Sequence, residues 1–472
     1  MRDLQWAMAH EIAERVGSGQ LRARDVAEAA LRRIAVLNPE VNAFTGVTGE
    51  RALSEADAVD AAIAAGRPPG PLAGVPFAVK NLFDVAGLPT LAGSRINRDR
   101  APARRDATLI RRLRAAGAVL TGTLGMGEYA YDFTGENSHE GACRNPHDLA
   151  RMTGGSSSGC GAATAAGLAP VSLGSDTNGS LRVPASLCGV FSLKPTYGRL
   201  TRAGTFSFVD SLDHLGPFAR SVTDLALAYD AMQGPDPEDH GCADRPAEPA
   251  RPTLEDGIGR LRFARPGGWL AAQAGPMARV AAAAVAHVLE TEGCSRHEVA
   301  LDGAAAGRAA AYLITNSESA AFHLDRLRSR AGEFDPDTRD RFLAGALLPA
   351  AWVSRAQRVR AWWLAQAMEA FGRVDALILP ATPVPAPLRG DKVLTLGGEE
   401  RPLRPNLGLL AQPFSCIGLP VVTVPVFLPG ELPIGVQIVV PPWREELALR
   451  IARVLERSDV ACARPPALCS LG

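Results

Sequence analysis

Three residues of this chain have the types and settings for hydrolytic chemistry that needs neither histidine nor metal. Lys80 closes the run Gly74-Val75-Pro76-Phe77-Ala78-Val79-Lys80. Ser156 follows a glycine pair in Gly154-Gly155-Ser156-Ser157-Ser158-Gly159. Ser180 stands 24 residues further on, in Gly174-Ser175-Asp176-Thr177-Asn178-Gly179-Ser180-Leu181-Arg182. The small residues around all three let backbone amides approach a substrate closely. A serine can attack a carbonyl carbon, a second hydroxyl can pass the proton on, and a desolvated lysine can accept it.

Ser180 has the best setting for attack. It follows Thr177-Asn178-Gly179 and opens an expected short helix, so successive amides can converge on an anion. The backbone N–H groups of Thr177, Asn178, Gly179 and Ser180 are therefore the oxyanion-hole candidates, and losing one such donor costs about 100- to 1000-fold in rate. Lys80 must be neutral to act as a base. A free lysine has a pKa of about 10.4, and burial lowers it by up to several units. Val75, Phe77 and Val79 give it an apolar approach. Ser156 is placed to bridge Ser180 and Lys80, because a hydroxyl donates and accepts at once.

These groups need a scaffold, and the pattern around them is α/β. Residues 24–37 carry a helical period with Arg32 and Arg33 on the far side. Gly74–Lys80 reads as a strand, Asp106–Ala116 as a helix with Asp106 near its cap, and Ala118–Gly122 as a strand. Ser158–Gly167 is built almost wholly of small residues and reads as a closely packed helix. Val171–Gly174 and Val190–Leu193 read as strands flanking a short helix at Leu181–Cys188. A Pro- and acid-rich stretch at 234–257 reads as a surface loop, followed by Ala-rich helices over 276–293, 303–330 and 337–372. Val374–Leu379, Val421–Val426 and Ile434–Val440 are apolar runs suited to buried strands. The expectation is one domain over 1–472, with a mainly helical lobe at about 240–370.

Composition narrows the function. Formal net charge is zero and gives no electrostatic reason to expect direct nucleic-acid binding. No apolar run of about 18 residues predicts a membrane span, and the amino terminus lacks a signal-peptide pattern. Eight scattered cysteines without a C-x-x-C pair suggest free thiols in a reducing cytoplasm. No cofactor is implied.

The run Gly154–Arg182 resembles the defining stretch of the amidase signature family. Leu193-Lys194-Pro195-Thr196-Tyr197-Gly198-Arg199 and Leu432-Pro433-Ile434-Gly435-Val436-Gln437 extend the resemblance over nearly the whole chain. It implies the family's fold, a large mixed β-sheet flanked on both faces by helices, and a Ser–cisSer–Lys triad. Carried over by position, the nucleophile is Ser180, the cis serine Ser156 and the lysine Lys80. One departure is visible: the usual pair before the nucleophile is Gly-Gly, whereas this chain has Asn178-Gly179.

Asn178-Gly179-Ser180, Gly204-Thr205-Phe206, Val209–Pro217, Glu136–His139 and Arg144–Asp148 resemble the branch of that family that hydrolyses 1-carboxybiuret in s-triazine breakdown. That branch implies a small amide or ureide substrate, ammonia release through an acyl-serine, and a very small helical partner protein. A self-sufficient homodimer is the alternative to the partner. The rival activities are the glutaminase subunit of a tRNA-dependent amidotransferase and a catalytically inert scaffold. Arg360 matches a place where glutamine-using relatives keep an arginine for the substrate carboxylate, a solvated helix face being the alternative.

Four further readings are weaker. Glu128 and Tyr131 are candidates to line the pocket, with core packing as the alternative. Arg182 can bind a substrate carboxylate or brace its loop through Asp176, and bracing is favoured. Gly155–Gly159 also fits a G-x-S-x-G elbow with Ser157 as nucleophile, but Asp213 and His214 are adjacent, a poor arrangement for a triad. His139, Cys143 and His147 stand four apart, yet Gly141 and Pro146 interrupt the helix that would align them as metal ligands.

Overall fold

Eleven strands of the computed structural model, which describes residues 4–471, form one mixed sheet. In chain order they are β1 (Phe44–Val47), β2 (Pro76–Lys80), β3 (Val119–Leu124), β4 (Val171–Asp176), β5 (Phe191–Lys194) and β6 (His214–Ala219). Then come β7 (Arg262–Ala264), β8 (Ser295–His297), β9 (Ala376–Pro380), β10 (Val421–Val426) and β11 (Ile434–Val439). Their spatial order is β1-β3-β2-β4-β6-β5-β10-β11-β9-β7-β8. The strands β2, β4, β6, β9, β10 and β11 are buried at every position. Alternate residues of a strand point to opposite faces, so full burial means that helices cover both faces of the sheet centre.

The topology brings two of the expected groups to one edge. β2 runs parallel to β3 and to β4, with Phe77 opposite Val171 and Val79 opposite Leu173. Lys80 ends β2 and Asp176 ends β4, so both emerge at the carboxyl ends of neighbouring parallel strands, where α/β sheets place their ligands. β6 closes the other side of β4 in antiparallel register, pairing His214 with Asp176.

The small-residue helix Ser158–Ala165 is buried along its whole length. A Cβ on Gly159 would lie 2.5 Å from the Gly125 amide nitrogen and from the Ala43 carbonyl oxygen. This close approach explains the run of Gly, Ala and Ser there, and it presses Ser156 and Ser157 against the sheet.

The expected helix at Asp106–Ala116 forms over Thr108–Ala115, but Asp106 does not cap it. Its carboxylate instead takes Arg51 Nη1 and Nη2 at 2.9 and 2.6 Å and the Ala86 amide at 2.9 Å. Charge-assisted bonds to a guanidinium outcompete a single cap bond. Between residues 240 and 371 lie the helices Pro276–Thr291, Ala304–Arg330, Pro336–Ala346 and Ala350–Phe371, together with strand β7 and the edge strand β8. The helix Ala304–Arg330 packs on both of its successors and on the short helix Gln412–Cys416, which leads back to the strand ends.

Candidate active site

The Lys80 side chain is fully buried at the end of β2. Its Nζ lies 2.7 Å from Ser156 Oγ, 3.1 Å from Ser157 Oγ and 2.9 Å from Ser175 Oγ. Burial pushes the amine down to about 7, against the opposing pull of Cys160, Asp213, Asp176 and Asp132. Ser157 and Ser175 are mutually braced, Ser157 Oγ donating to the Ser175 carbonyl at 3.1 Å. Three hydroxyls thus surround an amine that is half neutral near neutral pH. The Gly155–Ser156 peptide is cis, and the Ser156 carbonyl accepts from the Gly127 amide at 3.2 Å.

The turn that carries Ser180 is held from beneath by a buried ion pair. Arg182 Nε lies 2.9 Å and Nη2 3.0 Å from the two Asp176 oxygens. Arg182 also donates to the Ala411 carbonyl at 2.9 Å, to Gln437 Oε1 at 2.7 Å and to Ser415 Oγ. Burial opposes ionisation of Asp176, yet Arg182, aided by Lys194, holds its carboxyl well below the usual range. Arg182 therefore braces the turn and has no free face for a substrate. Asp176 accepts from the Gly179 amide at 2.7 Å and from the Leu181 amide at 3.2 Å. Among the described residues, the amides of Thr177, Asn178 and Ser180 have no protein acceptor. Of the expected oxyanion donors, Gly179 is turned inward and the other three stay available. Gly179 has φ 136°, and a Cβ there would meet Ala411 Cβ at 2.8 Å, so only glycine makes this turn.

Ser180 opens onto a cavity shared with Thr177, Asn178, Tyr131, Asn316, Arg341 and Gln412. The cavity measures about 20 Å³, room for about one water molecule. No hydrogen bond joins Ser180 to Ser156 among the described residues; Ser156 bonds to the lysine and Ser180 faces the cavity.

These features meet in a family pattern. A family model described as Amidase matches residues 25–449. The chain belongs to the amidase family. It is 54% identical over 454 residues to AtzE, a 1-carboxybiuret hydrolase subunit of Pseudomonas sp. (strain ADP), covering 96% of this chain and 98% of that one. It is also 36% identical to a glutamyl-tRNA(Gln) amidotransferase subunit of Moorella thermoacetica, over 99% of each chain. A solved chain from work on an unexpected vestigial protein complex and the origins of an s-triazine catabolic enzyme superposes with a TM-score of 0.95. The two are 52% identical, over 97% of this chain and 100% of that chain. A solved 6-aminohexanoate cyclic dimer hydrolase superposes with a TM-score of 0.87 at 28% identity, over 98% of this chain and 99% of that chain.

The remaining sequence candidates of this amidase fall in different places. Glu128 is buried away from the cavity, holding Ser94 Oγ at 2.7 Å, His139 Nε2 at 2.9 Å and the Asp335 amide at 2.8 Å. It belongs to a core network, the packing alternative. Tyr131 does line the cavity; its hydroxyl donates to Asn316 Oδ1, and burial pushes its pKa up to about 12. Arg360 is outside the cavity lining and donates to the Ser211 carbonyl at 2.9 Å. Ser157 is bonded to Lys80 and Ser175, while His214 Nδ1 turns to the Leu212 carbonyl at 2.6 Å, so the elbow reading finds no triad. His139, Cys143 and His147 face Glu128, the Asn42 carbonyl and the Cys188 carbonyl respectively.

The sequence reading missed Arg341. This arginine of the helix Pro336–Ala346 lies over the Tyr131 ring, 3.3 Å from its centre, and donates to the Tyr131 carbonyl at 2.7 Å. It is the one arginine lining the cavity among the described residues. Only its tertiary contacts with Tyr131 single it out from the other arginines.

Proposed function

We propose that this amidase hydrolyses a small, carboxylated ureide of the 1-carboxybiuret kind, releasing ammonia through an acyl-serine. The observation that carries the reading is Lys80, a fully buried amine pushed down to about 7 and bonded to Ser156 at 2.7 Å, beside the turn that presents Ser180. The 54% identity to a 1-carboxybiuret hydrolase subunit supports the substrate class.

Neutral Lys80 takes the Ser156 proton as Ser156 takes that of Ser180, and Ser180 Oγ attacks the terminal carbamoyl carbon. The oxyanion is received by the amides of Thr177, Asn178 and Ser180. The relay returns its proton to the nitrogen as the C–N bond breaks, and ammonia leaves. Water then attacks the acyl-serine, its proton passes to the relay, and Ser180 recovers its hydrogen as the acid departs. For carboxybiuret the second product is an allophanate-like dicarboxylic acid. Arg341, at the cavity wall, is the group that meets the substrate carboxylate.

A fluorophosphonate that captures Ser180, together with ammonia release from carboxybiuret, tests this directly. Labelling elsewhere, or turnover of glutamine alone, overturns it. The glutamine arm matters because a glutamyl-tRNA(Gln) amidotransferase subunit is 36% identical over nearly its full length.

The protein further works with a small helical partner protein, in the cytoplasm, where its eight free cysteines remain reduced. The lobe supplies an apolar surface for the partner: Leu347 is 83% exposed, Trp352 57% and Trp362 48%. Among the described residues no helix is long and apolar enough to cross a membrane. Copurification with a small protein encoded beside it checks the partner; unchanged melting temperature on mixing the two counts against it.

A further inference from the structure

Asn178 stands where the usual family pattern has glycine, and its side chain is placed with unusual economy. The residue is 7% exposed and lines the cavity with Ser180. Its Nδ2 donates to Thr315 Oγ1 of the helix Ala304–Arg330 at 2.8 Å. That bond fixes the carboxamide plane. Its Oδ1, at the other end, is buried with no hydrogen-bond partner.

Three other polar residues on the cavity wall already hold hydrogen bonds within the protein. Asn316 Oδ1 accepts from Tyr131, Gln412 Oε1 accepts from Arg308 at 2.8 Å, and Arg341 donates to the Tyr131 carbonyl. Of the lining residues, Asn178 alone holds a buried side-chain N or O atom without a partner, among the described residues. A buried acceptor left unpaired is costly, and the cost is removed when a ligand brings a donor to it. The atom belongs to the same short turn as the amides that would receive the scissile carbonyl oxygen. A ureide presents just such an alternating edge: a carbonyl acceptor, then an N–H donor on the neighbouring nitrogen.

We propose that Asn178 Oδ1 accepts the N–H next to the scissile carbonyl, so that Asn178 selects ureides over isosteres carrying a methylene there. Thr315 is the positioning residue that keeps the oxygen, not the nitrogen, turned to the substrate. This rests on the reading under Proposed function.

The test uses substrate pairs that differ only by NH and CH2: biuret against malonamide, and allophanate against malonamate. The kcat/KM of each is measured by ammonia release for the wild type and for Asn178→Gly, Asn178→Asp and Thr315→Val. The change of the within-pair ratio from wild type to variant cancels intrinsic reactivity and any common damage to the turn. Asn178→Gly should lower the NH:CH2 ratio about 10- to 100-fold, the range of one lost hydrogen bond in a closed site. Thr315→Val should lower it about 3- to 10-fold by freeing the carboxamide. Asn178→Asp should slow both substrates yet keep the ratio within about threefold, since it retains the acceptor.

Equal losses within a pair for Asn178→Gly overturn the inference while leaving the hydrolase reading intact, as does a collapsed ratio for Asn178→Asp. Should Asn178→Gly not fold, an unchanged ratio in Thr315→Val overturns it. A wild type that releases ammonia from neither these ureides nor carboxybiuret removes the hydrolase reading and this inference together; turnover of carboxybiuret with neither ureide hydrolysed faster than its methylene isostere overturns this inference alone.

Discussion

Two lysines lie fully buried in the same sheet, Lys80 at the end of β2 and Lys194 at the end of β5. Burial pushes both amines down, Lys194 well below its ordinary value with further help from Arg182. What differs is the company each keeps. Lys80 Nζ touches three hydroxyls, whereas Lys194 Nζ donates to the Pro195 carbonyl at 3.0 Å. A neutral amine has a lone pair to offer, and only a neighbour that can donate completes the exchange. A hydroxyl can do so; a carbonyl only accepts. Desolvation makes a base available, and the proton-carrying neighbour decides whether it has anything to do.

The comparison breaks first at the nucleophile the lysine is proposed to serve. Ser180→Ala should cost on the order of 10⁴–10⁶-fold in kcat with the fold intact. Retention of a tenth of the wild-type rate would remove the serine from the chemistry. Lys80→Met and Ser156→Ala should each cost about 10²–10⁴-fold, the range for a general base. The double variant should be little worse than either, because the two act as one relay; strictly additive losses would separate them. Arg341→Ala should raise KM about 10- to 100-fold for carboxylated substrates and far less for biuret, as expected for a charge-assisted contact. Equal effects on both would make Arg341 a packing residue only.

The pH profile sharpens the contrast. Only neutral Lys80 accepts a proton, and its amine lies at about 7. The rate should therefore fall about tenfold per pH unit below 7 and level off above about 8. Lys80→Arg should be inactive at every pH, since guanidinium does not deprotonate. Lys194→Met, the smallest expected effect, should leave that acidic limb where it is and kcat/KM within about threefold. A limb that moves with Lys194 would transfer the titrating role to it.

The catalytic candidates were legible in the sequence because they sit in short runs where backbone and side chain are both constrained. Ser156 needs the glycines that let its loop and helix press on the sheet, and Ser180 needs Gly179 at its positive φ. Strand ends followed from apolar runs. The cavity wall was not legible. Arg341, Asn316 and Thr315 belong to long helices whose periodicity reports burial but not which residue meets a loop from the other half of the chain. Glu128 and Arg360 show the converse: a local stretch suggested a pocket for one and a resemblance to glutamine-using relatives suggested it for the other, and tertiary packing turned them to Ser94 and His139 and to the Ser211 carbonyl. Asp106 had the right position for a cap, and Arg51 won its carboxylate.

The placement of lysines has a practical consequence. Only three of the chain's 50 basic residues are lysines, and Lys392, ahead of the hairpin strand Val393–Leu396, is the one that is exposed. Amine-directed tethers or dyes should therefore find one exposed lysine side chain on the folded protein, Lys392. A lysine-specific protease should likewise cut native material once, after Lys392. It should gain the bond after Lys80 only when the sheet opens, while Pro195 hinders the bond after Lys194 in any state. The fragment pattern then reads out unfolding without any probe of activity.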